Sequence, residues 1–271
     1  MPINATVITT DEWGAKPPRV PSFELTTARY VVVHHTDSQN PPKDSSKRTK
    51  DGAMAFARAI QNDHFKRGWS DSGHNFLNTT GGFVLEGRTG TVDAIKHGNC
   101  VRSAHAAQDP GRLPKGNESP GIENEGNFMS FPMGDTQWAS LVSLCAELCT
   151  ALNVLPANIR GHREFSSTDC PGDWLFGQLP RLRQDAATKL GIEISPAEAF
   201  GAARLQEVAF GEFGPHVMAL QRRLLGSGFS PGTIDGIFGE NTREAVISFQ
   251  RDHNLKVTGR VDKLTRQALG L

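Results

Sequence analysis

A surplus of either charge is missing from this chain: Lys and Arg together number 29, Asp and Glu 29, and the formal net charge is zero. With no net field to draw it to nucleic acid or to an anionic membrane, neither is expected as a partner. Long apolar runs are missing too. No stretch approaches the roughly 20 residues that span a bilayer, and the opening MPINATVITTDEWG has neither the basic nor the apolar segment of a secretory leader. The chain is therefore expected to stay in the cytosol, to leave by another route, or to have had a leader removed. Cysteine is scarce. Cys100, Cys145, Cys149 and Cys170 are too few for a disulfide scaffold. Cys145 and Cys149 stand four apart on an expected helix, where a bridge would be strained, so they read as small buried apolar residues.

What is present is enough apolar material, 37% of 271 residues, for more than one domain and a sizeable core. Pro17, Pro18 and Pro21 keep residues 11–28 irregular. Tyr30 to Val33 form a buried strand that runs out into His34, His35 and Thr36. After a polar loop over 37–51, Asp51 is expected to cap a helix over about 52–67, with Phe56 and Ile60 toward the core and Gly68 as its stop. Residues 76–85 read as a hairpin around Gly81-Gly82, and 96–120 as a long functional loop. Residues 121–128 follow as a strand with Glu123 and Glu125 on one face. From Asp135 or Thr136, Trp138, Leu141, Val142, Cys145, Leu148, Cys149 and Leu152 recur at helical spacing. A short strand over 158–161 delivers His162, and a helix follows over about 174–190. The alternation predicts an α/β fold, a mixed central sheet flanked by helices. Residues 191–211 read as a linker. Beyond it, Val217, Leu220, Leu224 and Leu225, then Ala245, Val246 and Phe249, mark two helices, with a third over about 262–269. The expected organisation is a domain over 1–190, a linker over 191–211 and a three-helix bundle over 212–271.

The chemistry centres on GHREFSSTDCPG, residues 161–172. Imidazole and thiolate are good zinc ligands, and a loop this short can bring His162 and Cys170 to one ion. VVVHHT offers a third ligand, His34 or His35, at a strand end. Two neutral imidazoles and a thiolate leave zinc an open position, from which it can activate water and polarise a carbonyl. A carboxylate must then carry the proton to the leaving group, and Glu123 is the candidate. A competing reading pairs Glu123 with Glu125 as glycosidase carboxylates about 7 Å apart on one strand face. It leaves His162 and Cys170 without a role. His35, on the opposite face from His34, is expected to support the sheet, His64 to be packed, and His253 to be exposed.

Taken together, VVVHHT, GWSDSGHNFL, FVLEGR, GIENEG and GHREFSSTDCPGDWL resemble the type 2 N-acetylmuramoyl-L-alanine amidases over about residues 11–190. That family includes peptidoglycan recognition proteins, phage lysozyme-type amidases and bacterial anhydromuramyl-peptide amidases. The resemblance implies a sheet with helices packed on it and one zinc ion per chain, bound by His34, His162 and Cys170 at the mouth of a peptide groove. The implied reaction is hydrolysis of the amide between the muramyl lactyl group and L-alanine of bacterial peptidoglycan. Recognition-only relatives have commonly lost the cysteine ligand, so Cys170 favours an enzyme over a non-catalytic binding protein with a structural zinc. His74 departs from the pattern, standing where many relatives carry a catalytic tyrosine. Thr168 stands where the anhydromuramyl amidases carry a lysine, and their glutamate carries over to Glu123. Glu123, His74 and Thr168 are thus the expected catalytic group, with Trp69, Arg88 and His105 as substrate contacts. Separately, VMALQRRLLGSGF, IDGIFGENTREAVISFQ and VTGRVDKLTRQALG resemble the peptidoglycan-binding domain 1 family over about 212–270, which implies targeting to the cell wall. Such a protein would reach the wall through a holin, as an endolysin does, through a secretion system, or by a leader since removed. No oligomeric state is implied.

Overall fold

The structure, a computed structural model, describes residues 7–40, 48–199, 209–212 and 215–271. Its first element is α1 (Thr10–Trp13), closed by a capping box in which Thr9 accepts from the Glu12 amide and Glu12 accepts from that of Thr9. The prolines do keep most of 14–24 irregular, but T-x-x-E in TTDE marks this one turn. After β1 (Leu25–Thr26) comes β2 (Val31–His35), buried along its whole length. Helix α2 (Lys50–Lys66) starts earlier than expected. Its cap is Thr49, whose hydroxyl accepts the Gly52 amide at 3.1 Å, and Asp51 lies inside the first turn. The buried face of α2 also differs from expectation: it is formed by Ala53, Ala57, Gln61, His64 and Phe65, with Phe56 and Ile60 only half-buried. Small alanines let the helix lie close to the sheet and turn the bulkier stripe sideways.

Strands β3 (Phe76–Asn78) and β4 (Val84–Glu86) form the expected antiparallel hairpin. Helix α3 (Thr91–Lys96) and β5 (Cys100–Val101) follow, β5 pairing with β1 in a two-stranded ribbon, so the long loop is confined to 102–120. Then come β6 (Gly121–Asn124), α4 (Asp135–Ala151) and β7 (Ile159–Gly161). The helix expected over 174–190 is two, α5 (Asp173–Gly177) and α6 (Leu179–Lys189), meeting at Gln178, because Pro180 lacks the amide a continuous helix would need there.

The five-stranded sheet has the order β4-β3-β6-β2-β7, with β2 parallel to β6 and β7, β3 parallel to β6, and β4 antiparallel at the edge. Register sets out the site. His34 lies opposite Glu123, and Glu123 opposite Leu77, so all three share one face, the face that carries α2. The alternate residues Val33, Ile122 and Phe76 face the other way, into a core closed by Leu141, Leu144 and Leu148 of α4 and Leu182 of α6. Of the four parallel strands, β6, β2 and β7 thus release Glu123, His34 and His162 at one mouth, the usual place for a site in such sheets.

Helix α7 (Pro196–Ala199) falls within the segment expected as linker, yet it is packed on the sheet domain. The buried guanidinium of Arg183 donates to the carbonyls of both Ile159 and Ala199, tying β7 to α7. The linker positions 200–208 lie outside the described residues. Helices α8 (Pro215–Gly226), α9 (Glu240–Asp252) and α10 (Lys263–Leu269) form the expected bundle around Val217, Leu220, Leu224, Phe238, Val246 and Phe249. Gln221 and Gln250, the glutamines of the LQ and FQ motifs, are buried. Gln221 donates to Asp235, Ile237 and Thr242 and accepts from Gly236, and Gln250 holds the 258–260 turn in the same manner. Those motif residues are therefore structural.

Candidate metal centre

Strand β2 delivers His34 and His35 at its open end, and the pleat sends them to opposite faces. His35 Nδ1 accepts the Phe128 amide at 3.2 Å, the sheet-supporting role expected of it. At the end of neighbouring β7, His162 starts a single helical turn. Glu164 anchors that turn, accepting the Gly161 amide at 2.7 Å and pairing with buried Arg160 at 3.3 Å. The loop then folds back, and the Arg163 amide donates to the Cys170 carbonyl at 3.0 Å. Gly172 is required here: its φ is +90°, and a Cβ would lie 2.4 Å from the Phe128 carbonyl.

This path brings one ligand atom each of His34, His162 and Cys170 within 4.8 Å of one another. His34 Nδ1 lies 3.7 Å from Cys170 Sγ, and the rings of His34 and His162 are centred 4.4 Å apart. Donor atoms around a tetrahedral zinc lie about 3.3–3.8 Å apart, given its usual bond lengths. The 3.7 Å between His34 Nδ1 and Cys170 Sγ falls in that range, and the N,N,S donor set suits that ion. Burial holds His34 well below the ordinary imidazole range and pushes His162 down to about 4, so both rings keep a lone pair at neutral pH. Burial raises the Cys170 thiol, against which the His35 amide, 3.4 Å from Sγ, favours the thiolate.

Beside these three residues lies a buried pair. Glu123 Oε2 and His74 Nε2 are 2.5 Å apart, and the rings of His74 and His34 are centred 4.6 Å apart. Burial pushes the Glu123 carboxyl up to about 7 and the His74 imidazole down to about 3. Glu123 can therefore take up and release a proton near neutral pH while His74 stays neutral, the state a proton carrier needs. His74 Nδ1 is buried and, among the described residues, has no hydrogen-bond partner. The group opens into a groove of about 670 Å³ whose wall includes Phe56, Ile60, His64 and Trp69.

The other expected site residues are distributed unevenly. Trp69 lies in the groove wall, its indole stacked on His64 at 4.6 Å. His105 borders the groove, but both its ring nitrogens are engaged, Nδ1 with His34 Nε2 at 2.9 Å and Nε2 with the Ser119 carbonyl at 2.9 Å. Arg88 does not reach the groove. It is 5% exposed, donates to the carbonyls of Ser72 and Arg102, and stacks on Phe23, so it braces the loops behind the site. The Thr168 hydroxyl accepts the Cys170 amide at 3.2 Å, and Thr168 borders a second cavity beside the Thr233–Ile237 turn of the bundle. Glu125 accepts from the amide and hydroxyl of Thr80, which commits the carboxylate that a glycosidase pair would need. His64 is packed as expected, its Nδ1 accepting the Gly73 amide, but it also lines the groove. The sequence signal for this wall is the pair Phe56 and Ile60 of α2, whose spacing reads as core.

Comparison with known proteins bears on the same region. The model of the N-acetylmuramoyl-L-alanine amidase family matches residues 24–173, and that of a peptidoglycan binding domain family matches 213–269. Peptidoglycan-recognition protein SC2 of Drosophila melanogaster is 27% identical over 179 residues, covering 65% of this chain and 86% of its own. A probable N-acetylmuramoyl-L-alanine amidase of Bacillus licheniformis is 30% identical over 135 residues, covering 46% of this chain and 38% of its own. Among solved structures, wild-type Drosophila PGRP-LB superposes with a TM-score of 0.52 at 27% identity, covering 65% of this chain and 93% of its own. Since the amidase model spans more than half of its residues, the chain belongs to the N-acetylmuramoyl-L-alanine amidase family.

Proposed function

We propose that this chain is a zinc amidase that hydrolyses the amide between the muramyl lactyl group and L-alanine of bacterial peptidoglycan, with its C-terminal bundle binding the wall. The observation that carries the proposal is the convergence of His34, His162 and Cys170 beside the buried Glu123–His74 pair. His34, His162 and Cys170 would hold one zinc ion, which would supply Lewis acidity to the scissile carbonyl and to water. Glu123, with its carboxyl near neutrality, takes the proton of the attacking water and gives it to the leaving amine, which cannot depart as an anion. His74 Nε2 fixes the carboxylate at 2.5 Å. The indole of Trp69 and the side chains of Phe56 and Ile60 offer an apolar wall to the peptide and exclude water from one side. Thr168 holds the ligand loop in shape through its bond to the Cys170 amide.

A second reading, a recognition protein with a structural zinc, draws on the names of several relatives. A structural ion is normally closed off by four protein ligands, and it has no use for a buried carboxylate poised beside it. Incubation with purified sacculi separates the two, since only the enzyme releases free stem peptide. New reducing sugar ends would instead mark a glycosidase.

The bundle should serve targeting and not chemistry. Because Arg183 ties Ala199 to the sheet domain, the cut belongs after Ala199, not before α7. A chain ending there should keep its activity on a soluble muramyl peptide and lose most of it on sacculi, since the bundle raises local substrate concentration without touching the groove. Equal loss on both substrates, measured by released peptide, would place part of the active site on the bundle.

A further inference from the structure

His105 lies behind the ligand His34, and its hydrogen bonds determine which nitrogens carry protons. The Ser119 carbonyl can only accept, so His105 Nε2, 2.9 Å away, must carry a hydrogen. His105 is 5% exposed, and among the described residues no carboxylate hydrogen-bonds to it to balance a second ring hydrogen, so the ring is neutral. In that form Nδ1 is a bare acceptor. His34 Nε2, 2.9 Å from it, must then donate, and this leaves His34 Nδ1 without a hydrogen, 3.7 Å from Cys170 Sγ.

Two further features hold this arrangement in place. The Ser119 hydroxyl accepts the amides of Arg29 and Tyr30, and the neighbouring Pro120 carbonyl accepts the Val32 amide, so the Ser119 carbonyl is fixed against β2. Gly121 leaves space for the ring, since a Cβ there would lie 2.3 Å from His105 Cδ2. We infer that the Ser119 carbonyl, His105 and His34 form a tautomer relay, with His105 a positioning residue that presents the Nδ1 lone pair of His34 to the metal. The relay rests on the zinc-site reading above. It goes further in assigning the ligating nitrogen and the residue that selects it. An outer partner of this kind typically contributes 10–100-fold to metal affinity.

The test uses the full chain and zinc alone. Long-range ¹H–¹⁵N spectra of the zinc-free wild type, with the His34 signals assigned through a His34→Gln variant, should show His34 with its hydrogen on Nε2. In chelator competition, His105→Leu should bind zinc about 10–100-fold more weakly. His105→Asn should recover most of that loss, because its Oδ1 can stand where Nδ1 accepted. A His34 hydrogen on Nδ1 in the wild type overturns the relay, as does a folded His105→Leu that binds zinc within twofold of wild type. If His105→Leu does not fold, the wild-type spectrum decides alone. A wild type that takes up no zinc refutes the metal site itself, an outcome distinct from a His34 tautomer opposite to the one inferred.

Discussion

Glu123→Gln should keep the fold and the zinc content of the wild type while lowering kcat by about 10²–10⁴-fold, or roughly 3–5 kcal/mol of barrier. The substitution is nearly isosteric, so His74 Nε2 retains a partner, but an amide cannot take up the water's proton or return it to the amine. The pH profile should change as well. With burial raising the Glu123 carboxyl to about 7, the wild type has its base form above that pH and should lose kcat as pH falls through it. That acid limb should vanish in Glu123→Gln. His74→Ala should cost less, because His74 orients the carboxylate and does not itself transfer the proton. A Glu123→Gln enzyme within threefold of wild type, beside an inactive His74→Ala, would exchange the two roles.

Cys170→Ala and His162→Ala should each reduce bound zinc from near one ion per chain to a small fraction and abolish turnover. Outer partners of a zinc site already contribute 10–100-fold to affinity, and a direct ligand should contribute more. Cys170 matters most. Its thiolate supplies the only negative charge among the three ligands, and without it two neutral imidazoles face a dication in a partly buried site. Cys100→Ala is the control. That thiol is fully buried, raised to about 12 and not part of the ligand group, so its loss should leave zinc content unchanged. Metal analysis of the purified variants, with circular dichroism to show folding, reads the result. Near-stoichiometric zinc in both ligand variants would mean the ion binds elsewhere.

Wherever one face of an element meets one environment, the sequence was a good guide. The stripe from Trp138 to Leu152 does lie against the sheet, and the β-branched run of β2 is buried on both sides. It misled where one pattern serves two environments. Phe56 and Ile60 have the spacing of a core stripe, yet the core contact of α2 is made by Ala53 and Ala57, and the larger residues were left for the groove. Hydropathy cannot distinguish a core from an apolar binding wall. The grouping of His34, His162 and Cys170 could be read because each sits at a strand end or in a short loop of fixed path. The places of His105, Arg88 and Thr168 could not. They depend on how loops 102–120 and 163–172 thread between strands, and no sequence period records that path. For His105 the deciding partner is a backbone carbonyl, which leaves no side-chain signature at all. Arg183 illustrates the same limit in the fold, since its carbonyl partners extend the sheet domain to Ala199, past the apparent start of the linker.

The most direct measurement is mass spectrometry of the soluble products from purified sacculi, digested by the enzyme as isolated, after chelation, and after zinc is restored. The account predicts stem peptides with a free L-alanine amino terminus, absent after chelation and regained with zinc, while the glycan strands keep intact lactyl groups. Peptide release that survives complete removal of zinc, or products bearing new reducing sugar ends in place of free peptides, would contradict it.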